Sequence, residues 1–265
     1  MANEEIKTIE ELAGILNKYN AAKSFLQIMF VYKKVKPGFF VQAEENREAG
    51  SVLNQITPLI KDLGLYVSSK HGGYITHDYA LFKSWNGFGF YIEKKNLGSF
   101  YLGYPKCCET QFIIAPDLIG FSIYYNLKKV LIDNDKKAAA KFDMLFKDLM
   151  EVEEYHPCVV GCPETHKRAE VLKGIRKEFS SFIPSDYMAK QKEIIRETVL
   201  EILRAVNFRN VQRKFRKSLS LLKKRNLSEL FSLNDNFFKE IEEFLDNPKS
   251  KKELLAKEEA FILEI

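Results

Sequence analysis

The sequence predicts an α+β fold, predominantly helical with a small antiparallel sheet, and three observations carry that expectation. Apolar residues recur at three-and-four spacing near the start of the chain and through most of it beyond Pro105. Residues 65–95 differ in character, with short aromatic and β-branched runs separated by glycine turns. Apolar residues make up 46% and aromatics 13% of 265 residues, enough for a substantial buried core.

Taken in order, Ile9, Leu12, Ile15 and Leu16 place a helix over residues 7–19, with Thr8 as N-cap and Glu11 completing a capping box. The run from Ala21 carries Phe25, Ile28, Met29 and Tyr32, which suits a second helix or a buried strand, and Pro37-Gly38 ends it. Val52, Leu53, Ile56, Leu59 and Ile60 share one side of a helix over residues 44–63, stopped by Gly64. A hairpin then turns at Gly72-Gly73. The alternation of Phe88, Phe90 and Ile92 predicts a further strand, so the sheet spans residues 65–95. Beyond Pro105 the pattern is helical except around Pro157 to Pro163 and at a short end strand over residues 260–265. Pro184 and Ser185-Asp186 mark a loop entering a new helix. The expected organisation is N-terminal helices over 1–64, a sheet and core over 65–183, and a basic helical region over 184–265.

No apolar run approaches the roughly 20 residues that span a bilayer. The acidic start lacks the layout of a secretory signal, so a soluble cytoplasmic protein is expected. Four cysteines in such a compartment point to metal binding or thiol chemistry rather than to disulfides.

All four fall in two tight clusters. Cys107 and Cys108 are adjacent, Cys158 and Cys162 have three residues between them, and 49 residues intervene between the two pairs. The clusters share a design. Pro105 suits the first position of a helix, which puts Cys107 and Cys108 in its first turn. Pro163 plays the same part after Cys162, which becomes the N-cap. Glu and Thr follow in both, as "CCET" and "CPET". Helix starts gather free N–H groups and the positive end of the dipole, which favour a thiolate. Two such starts facing each other would converge four thiolates on zinc or an iron–sulfur cluster. Adjacent side chains tend to diverge, so the pair Cys107-Cys108 favours a cluster over a single ion. Other readings use one cysteine of that pair with His156 or His166, or reactive thiols without metal. The plain alternative is that the cysteines are apolar fillers of a core.

The stretches "GYPKCCETQF" and "HPCVVGCPET" resemble an uncharacterised archaeal family, the domain of unknown function 483, which pairs a Gly-Tyr/Phe-Pro-x-Cys-Cys stretch with a later His-Pro-Cys-type run. Gly103, Tyr104, Pro105, Cys107 and Cys108 match its first part, and His156, Cys158 and Cys162 its second. The resemblance spans residues 100–165 and implies the site, not a reaction. The adjacent pair is also similar to the cluster-binding domains of heterodisulfide reductases, but Glu109 stands where they have glycine, and there is no fifth cysteine.

His71 and His77-Asp78 flank the hairpin turn, where they offer acid–base or ligand groups, or are simply solvated. "GFGF" fits a close-packed strand better than a phosphate loop. Residues 202–228 hold Arg204, Arg209, Arg213, Lys214, Arg216, Lys217, Lys223, Lys224 and Arg225 and no acid, against a net charge of +5 for the whole chain. Phe208, Val211, Phe215, Leu219 and Leu222 recur there at helical spacing, so the cations cover the remaining faces. Such a surface suits nucleic-acid phosphates, or pairs with the acidic run "KEIEEFLD". The expected function is a metal or iron–sulfur protein held by Cys107, Cys108, Cys158 and Cys162, acting on or binding nucleic acid. If the centre is catalytic, Glu109, His156 and His166 are the nearest proton-transfer candidates. The alternatives are a nucleic-acid-binding module with structural zinc and a metal-free thiol redox protein.

Overall fold

The computed structural model of the protein describes residues 3–40, 49–69, 73–94, 102–152, 157–206, 209–224, 231, 233, 235–246 and 262. Helix dominates, with one three-stranded antiparallel sheet among these residues, so the α+β expectation holds. The chain divides into two compact units, Met1–Tyr104 with Val171–Tyr187, and Pro105–Glu170 with Met188–Ile265.

In the first unit, α1 (Asn3–Lys18) buries Ile9, Leu12, Ala13 and Leu16, whose spacing makes one apolar stripe. Thr8 lies inside this helix and donates back to the carbonyl of Glu4 at 3.1 Å. It is therefore not an N-cap, because the helix begins a turn earlier than the capping pattern suggests. Helix α2 (Ala22–Tyr32) is buried nearly all round, which is why its sequence lacked a polar face and suited a strand equally well. Helix α3 (Ala49–Asp62) packs on α1 through Val52, Ile56 and Ile60.

The sheet places β3 (Tyr74–Thr76) between β1 (Gly38–Phe40) and β2 (Tyr66–Ser68). In register, Gly38 and Tyr66 both lie opposite Thr76, and Phe40 and Ser68 both lie opposite Tyr74. Gly38 must be glycine here, since a Cβ would occupy the space of the buried Tyr74 ring. The predicted strand at "GFGFYIEKK" is a correction, because those residues end helix α4 (Tyr79–Lys94). Five alternating residues cannot set the period against the helix upstream. There Asp78 accepts the N–H groups of Ala80 at 2.7 Å and Leu81 at 3.2 Å, and Leu81 and Trp85, four apart, pack with Tyr74. The third strand comes instead from residues 38–40, before α3.

The second unit packs around its own hydrophobic core. Helix α5 (Lys106–Ile114) leads to α6 (Leu118–Leu131) and α7 (Lys136–Val152), which pack as an antiparallel hairpin. Asp135 caps α7 through the N–H groups of Lys137 and Ala138. Helix α8 (Pro163–Glu178) follows the second cysteine cluster. Helix α9 (Tyr187–Val206) begins just after the predicted Pro184 loop, and α10 (Arg209–Lys224) and α11 (Asp235–Asp246) complete the unit. Phe121 of α6 stacks on Phe215 of α10, with centroids 3.7 Å apart and planes 13° from parallel. The end strand expected over 260–265 lies outside the described residues, apart from Ile262, which is helical and buried.

Glu240 of α11 bridges Lys128 and Lys129 of α6, each at 3.0 Å. Burial pushes its carboxyl upward, but the hydrogen bonds from Lys129 and Lys128 outweigh that and hold it below its ordinary 4.5. A lowered folded-state pKa stabilises above the unfolded value, and the contribution disappears as pH falls through the folded one. Glu240→Gln should therefore cost about 1 kcal/mol at neutral pH and progressively less as the pH drops below about 4.5. Urea denaturation across pH 3 to 7 measures both.

Candidate metal centre

The four cysteine sulfurs meet in the core of the second unit. Cys107 Sγ lies 3.9 Å from Cys108 Sγ and 3.6 Å from Cys162 Sγ, and Cys108 Sγ lies 3.9 Å from Cys162 Sγ. Cys158 completes the group, with all four sulfurs within 4.8 Å of one another. Each residue is buried, from 1% exposed at Cys158 to 7% at Cys107, and none forms a disulfide.

Local sequence explains the convergence. Helix α5 starts at Lys106 with Pro105 as its N-cap, one position before the one expected, and Cys107 and Cys108 sit in its first turn as foreseen. Neighbours on a helix point about 100° apart, yet at a first turn the two sulfurs still reach a common point. Gln111 fixes the other end of this short helix by donating to the carbonyls of Ala115 at 2.9 Å and Pro116 at 2.8 Å. The second cluster is shaped by a turn. Gly161 adopts φ +75°, a conformation costly for any residue with a Cβ, and the Cys162 N–H returns to the Val159 carbonyl at 3.2 Å. Ser122 of α6 anchors this loop by accepting the Val160 N–H at 2.9 Å. Cys162 then immediately precedes α8, its carbonyl taking the His166 N–H at 3.0 Å.

The sulfurs sit in a mainly apolar cluster, and Thr165, fully buried, brings its hydroxyl to 3.3 Å from Cys108 Sγ. Its counterpart Thr110 instead turns back to the Lys106 carbonyl, so the two "ET" echoes are not equivalent. The thiols divide by pair. Hydrogen bonds from Cys107, Cys108 and Cys158 hold Cys162 far below the ordinary 9.0, and a hydrogen bond from Cys108 also lowers Cys107. Cys108 and Cys158 are pushed up, in each case first by hydrogen bonding to Cys107. One thiol from each helix start is thus favoured as thiolate, not all four. Ionising the other two as well would need a cation among the four sulfurs.

Of the proton-transfer candidates, Glu109 is engaged by Lys106 at 2.9 Å. His166 stands one turn beyond Cys162, its Nδ1 2.9 Å from the buried Asp148 and its ring 43% exposed. Burial raises the Asp148 carboxyl pKa, and the hydrogen bond to His166 opposes the rise. His156 lies outside the described residues, as does His71. Asp78, taken in sequence as an acid–base candidate, serves as the cap of α4. Asp148, Ser122 and Gln111 were invisible to motif reading; only Ser122, within "LIGFSIYY", is an isolated polar residue in an apolar run, a faint signal of a buried polar contact.

On α10, Phe215, Leu219 and Leu222 are buried while Arg213, Lys214, Arg216 and Lys217 are exposed. Arg209 opens the same helix and Lys223 and Lys224 close it; Arg225 is outside the described residues. The acidic helix α11 directs Glu240 to α6. No helix among the described residues is long and apolar enough to cross a membrane. No family model, curated protein or solved structure matches the chain.

Proposed function

We propose that Cys107, Cys108, Cys158 and Cys162 hold one tetrahedral metal ion of the zinc class, as a closed structural centre in a nucleic-acid-binding module. The observation that supports it is the sulfur spacing. A tetrahedral ion with metal–sulfur bonds of about 2.3 Å needs its sulfurs about 3.8 Å apart. Three of the pairs here measure 3.6 to 3.9 Å. An iron–sulfur cubane interposes four irons and their sulfides and needs cysteine sulfurs about 6 Å apart or more. Four protein ligands, all buried, also leave no open position for a substrate, which suits a structural rather than a catalytic ion. Bound there, the ion would offset part of the thiolate charge and tie α5 to the start of α8. The exposed cations of α10 support the nucleic-acid half of the reading. Membership of the family resembled, the domain of unknown function 483, is proposed on the same cysteines together with Gly103, Tyr104, Pro105 and His156.

Protein purified without oxygen should carry one zinc per chain and no acid-labile sulfide. Cobalt exchange should give thiolate-to-metal charge-transfer and tetrahedral ligand-field bands. Uptake should release protons, because Cys108 and Cys158 must ionise, so affinity falls as pH falls. Cys158→Ser should lose the ion and cost at least about 5 kcal/mol of stability, given about 10–16 kcal/mol of apparent binding for a structural zinc. Labile sulfide with a brown chromophore would establish a cluster instead. A colourless protein that takes up no cobalt would leave thiol redox chemistry.

A further inference from the structure

Two features of the second unit lie beside each other and have opposite chemistry. The first is cationic. Helix α10 carries no acidic residue and turns Arg213, Lys214 and Lys217 away from its buried stripe. Their spacings of one, three and four place them together on one outer face, with steps of about 6 Å between Arg213 and Lys217. The second is apolar. At the end of α5, Phe112 and Ile113 are 65% and 64% exposed, the largest exposures of any big apolar side chains among the described residues.

Hydrogen bonding ties the two together. Ser218 of α10 donates to the Ile114 carbonyl at 3.1 Å, the residue directly after Phe112-Ile113. Lys214, Ser218 and Leu221 form one line along α10 at four- and three-residue steps, so Lys214 flanks this junction on one side and the 41%-exposed Leu221 on the other. Lys214 is also close enough to Asp117, at the start of α6, to act on its carboxyl.

We propose that this junction is a binding site for single-stranded nucleic acid, with phosphates on Arg213, Lys214 and Lys217 and an unstacked base on Phe112. This rests on the reading of α10 as a nucleic-acid surface and adds which form of nucleic acid it takes. Charge complementarity selects a polyanion. The exposed aromatic selects a single strand, because duplex bases are already stacked and offer it nothing, whereas loose bases stack on aromatic rings. An anionic lipid surface fits less well. The apolar stripe of α10 is spent on the core, at 0% for Phe215, 3% for Leu219 and 0% for Leu222, and cannot enter a bilayer.

Fluorescence anisotropy of the full chain as isolated, with labelled oligouridine, oligothymidine and a duplex of equal length, tests the proposal. Single strands should bind more tightly than duplex, and binding should weaken with salt. Phe112→Ala should weaken single-strand binding roughly ten-fold and leave duplex binding unchanged, while Phe112→Tyr restores it. The double change Lys214→Glu with Lys217→Glu should abolish both. Phe112 is mostly exposed, so its variants should keep the wild-type circular dichroism and melting. Unaltered single-strand binding by Phe112→Ala, or a preference for duplex, would overturn the single-strand site while leaving the basic helix as a phosphate surface. Absence of salt-sensitive binding to any oligonucleotide would overturn both readings. Phosphatidylserine vesicles that bind through Phe112, with no oligonucleotide retained, would replace nucleic acid by a lipid surface.

Discussion

Four sulfur atoms within 4.8 Å of one another, inside an apolar core, are the constraint around which the second unit is arranged. Such a group can be neutral and weakly cohesive, or ionised and bound to a cation; four separate thiolates are too costly. The chain invests a good deal in bringing the sulfurs together. A left-handed glycine turns the second loop, a serine hydroxyl anchors it, a glutamine closes the short helix carrying the first pair, and a buried threonine supports one sulfur. Cysteines serving only as core filler would need none of this. With an ion in place, the excursion of α6 and α7 between the clusters becomes a closed loop, so the centre would limit the freedom of the whole unit.

The centre and the basic helix share one support. Consecutive residues of α6 serve them both, Phe121 stacking on Phe215 of α10 and Ser122 holding the loop of Cys158 and Cys162. The cationic face of α10 is consequently presented from the same rigid element that positions the sulfurs. Glu240 separately ties α11 to α6 by pairing with Lys128 and Lys129. An ion that orders the core would thereby order a surface some distance away, as structural metals commonly do in small recognition domains.

Much of this was legible in the sequence, and the failures are instructive. Cysteine clustering beside prolines located the site, because helix starts are written locally, in proline, cap and first-turn residues. The stripe of Phe215, Leu219 and Leu222 likewise announced which side of α10 would be buried. The "GFGF" alternation misled because it was too short to compete with a helix nucleated upstream by Asp78, and the true third strand, residues 38–40, was a three-residue piece with no period to read. Thr8 misled through a sound capping pattern in a helix that simply starts earlier. The partners that complete the site, Ser122, Asp148 and Thr165, depend on tertiary contacts at separations of 18 to 57 residues, which local pattern cannot supply.

X-ray absorption at the metal edge of the purified protein tests the central claim most directly. A tetrahedral thiolate centre predicts a single shell of about four sulfurs at about 2.3 Å and no neighbouring metal atom. An iron edge with an iron–iron vector at about 2.7 Å, or a shell dominated by nitrogen or oxygen, would contradict it.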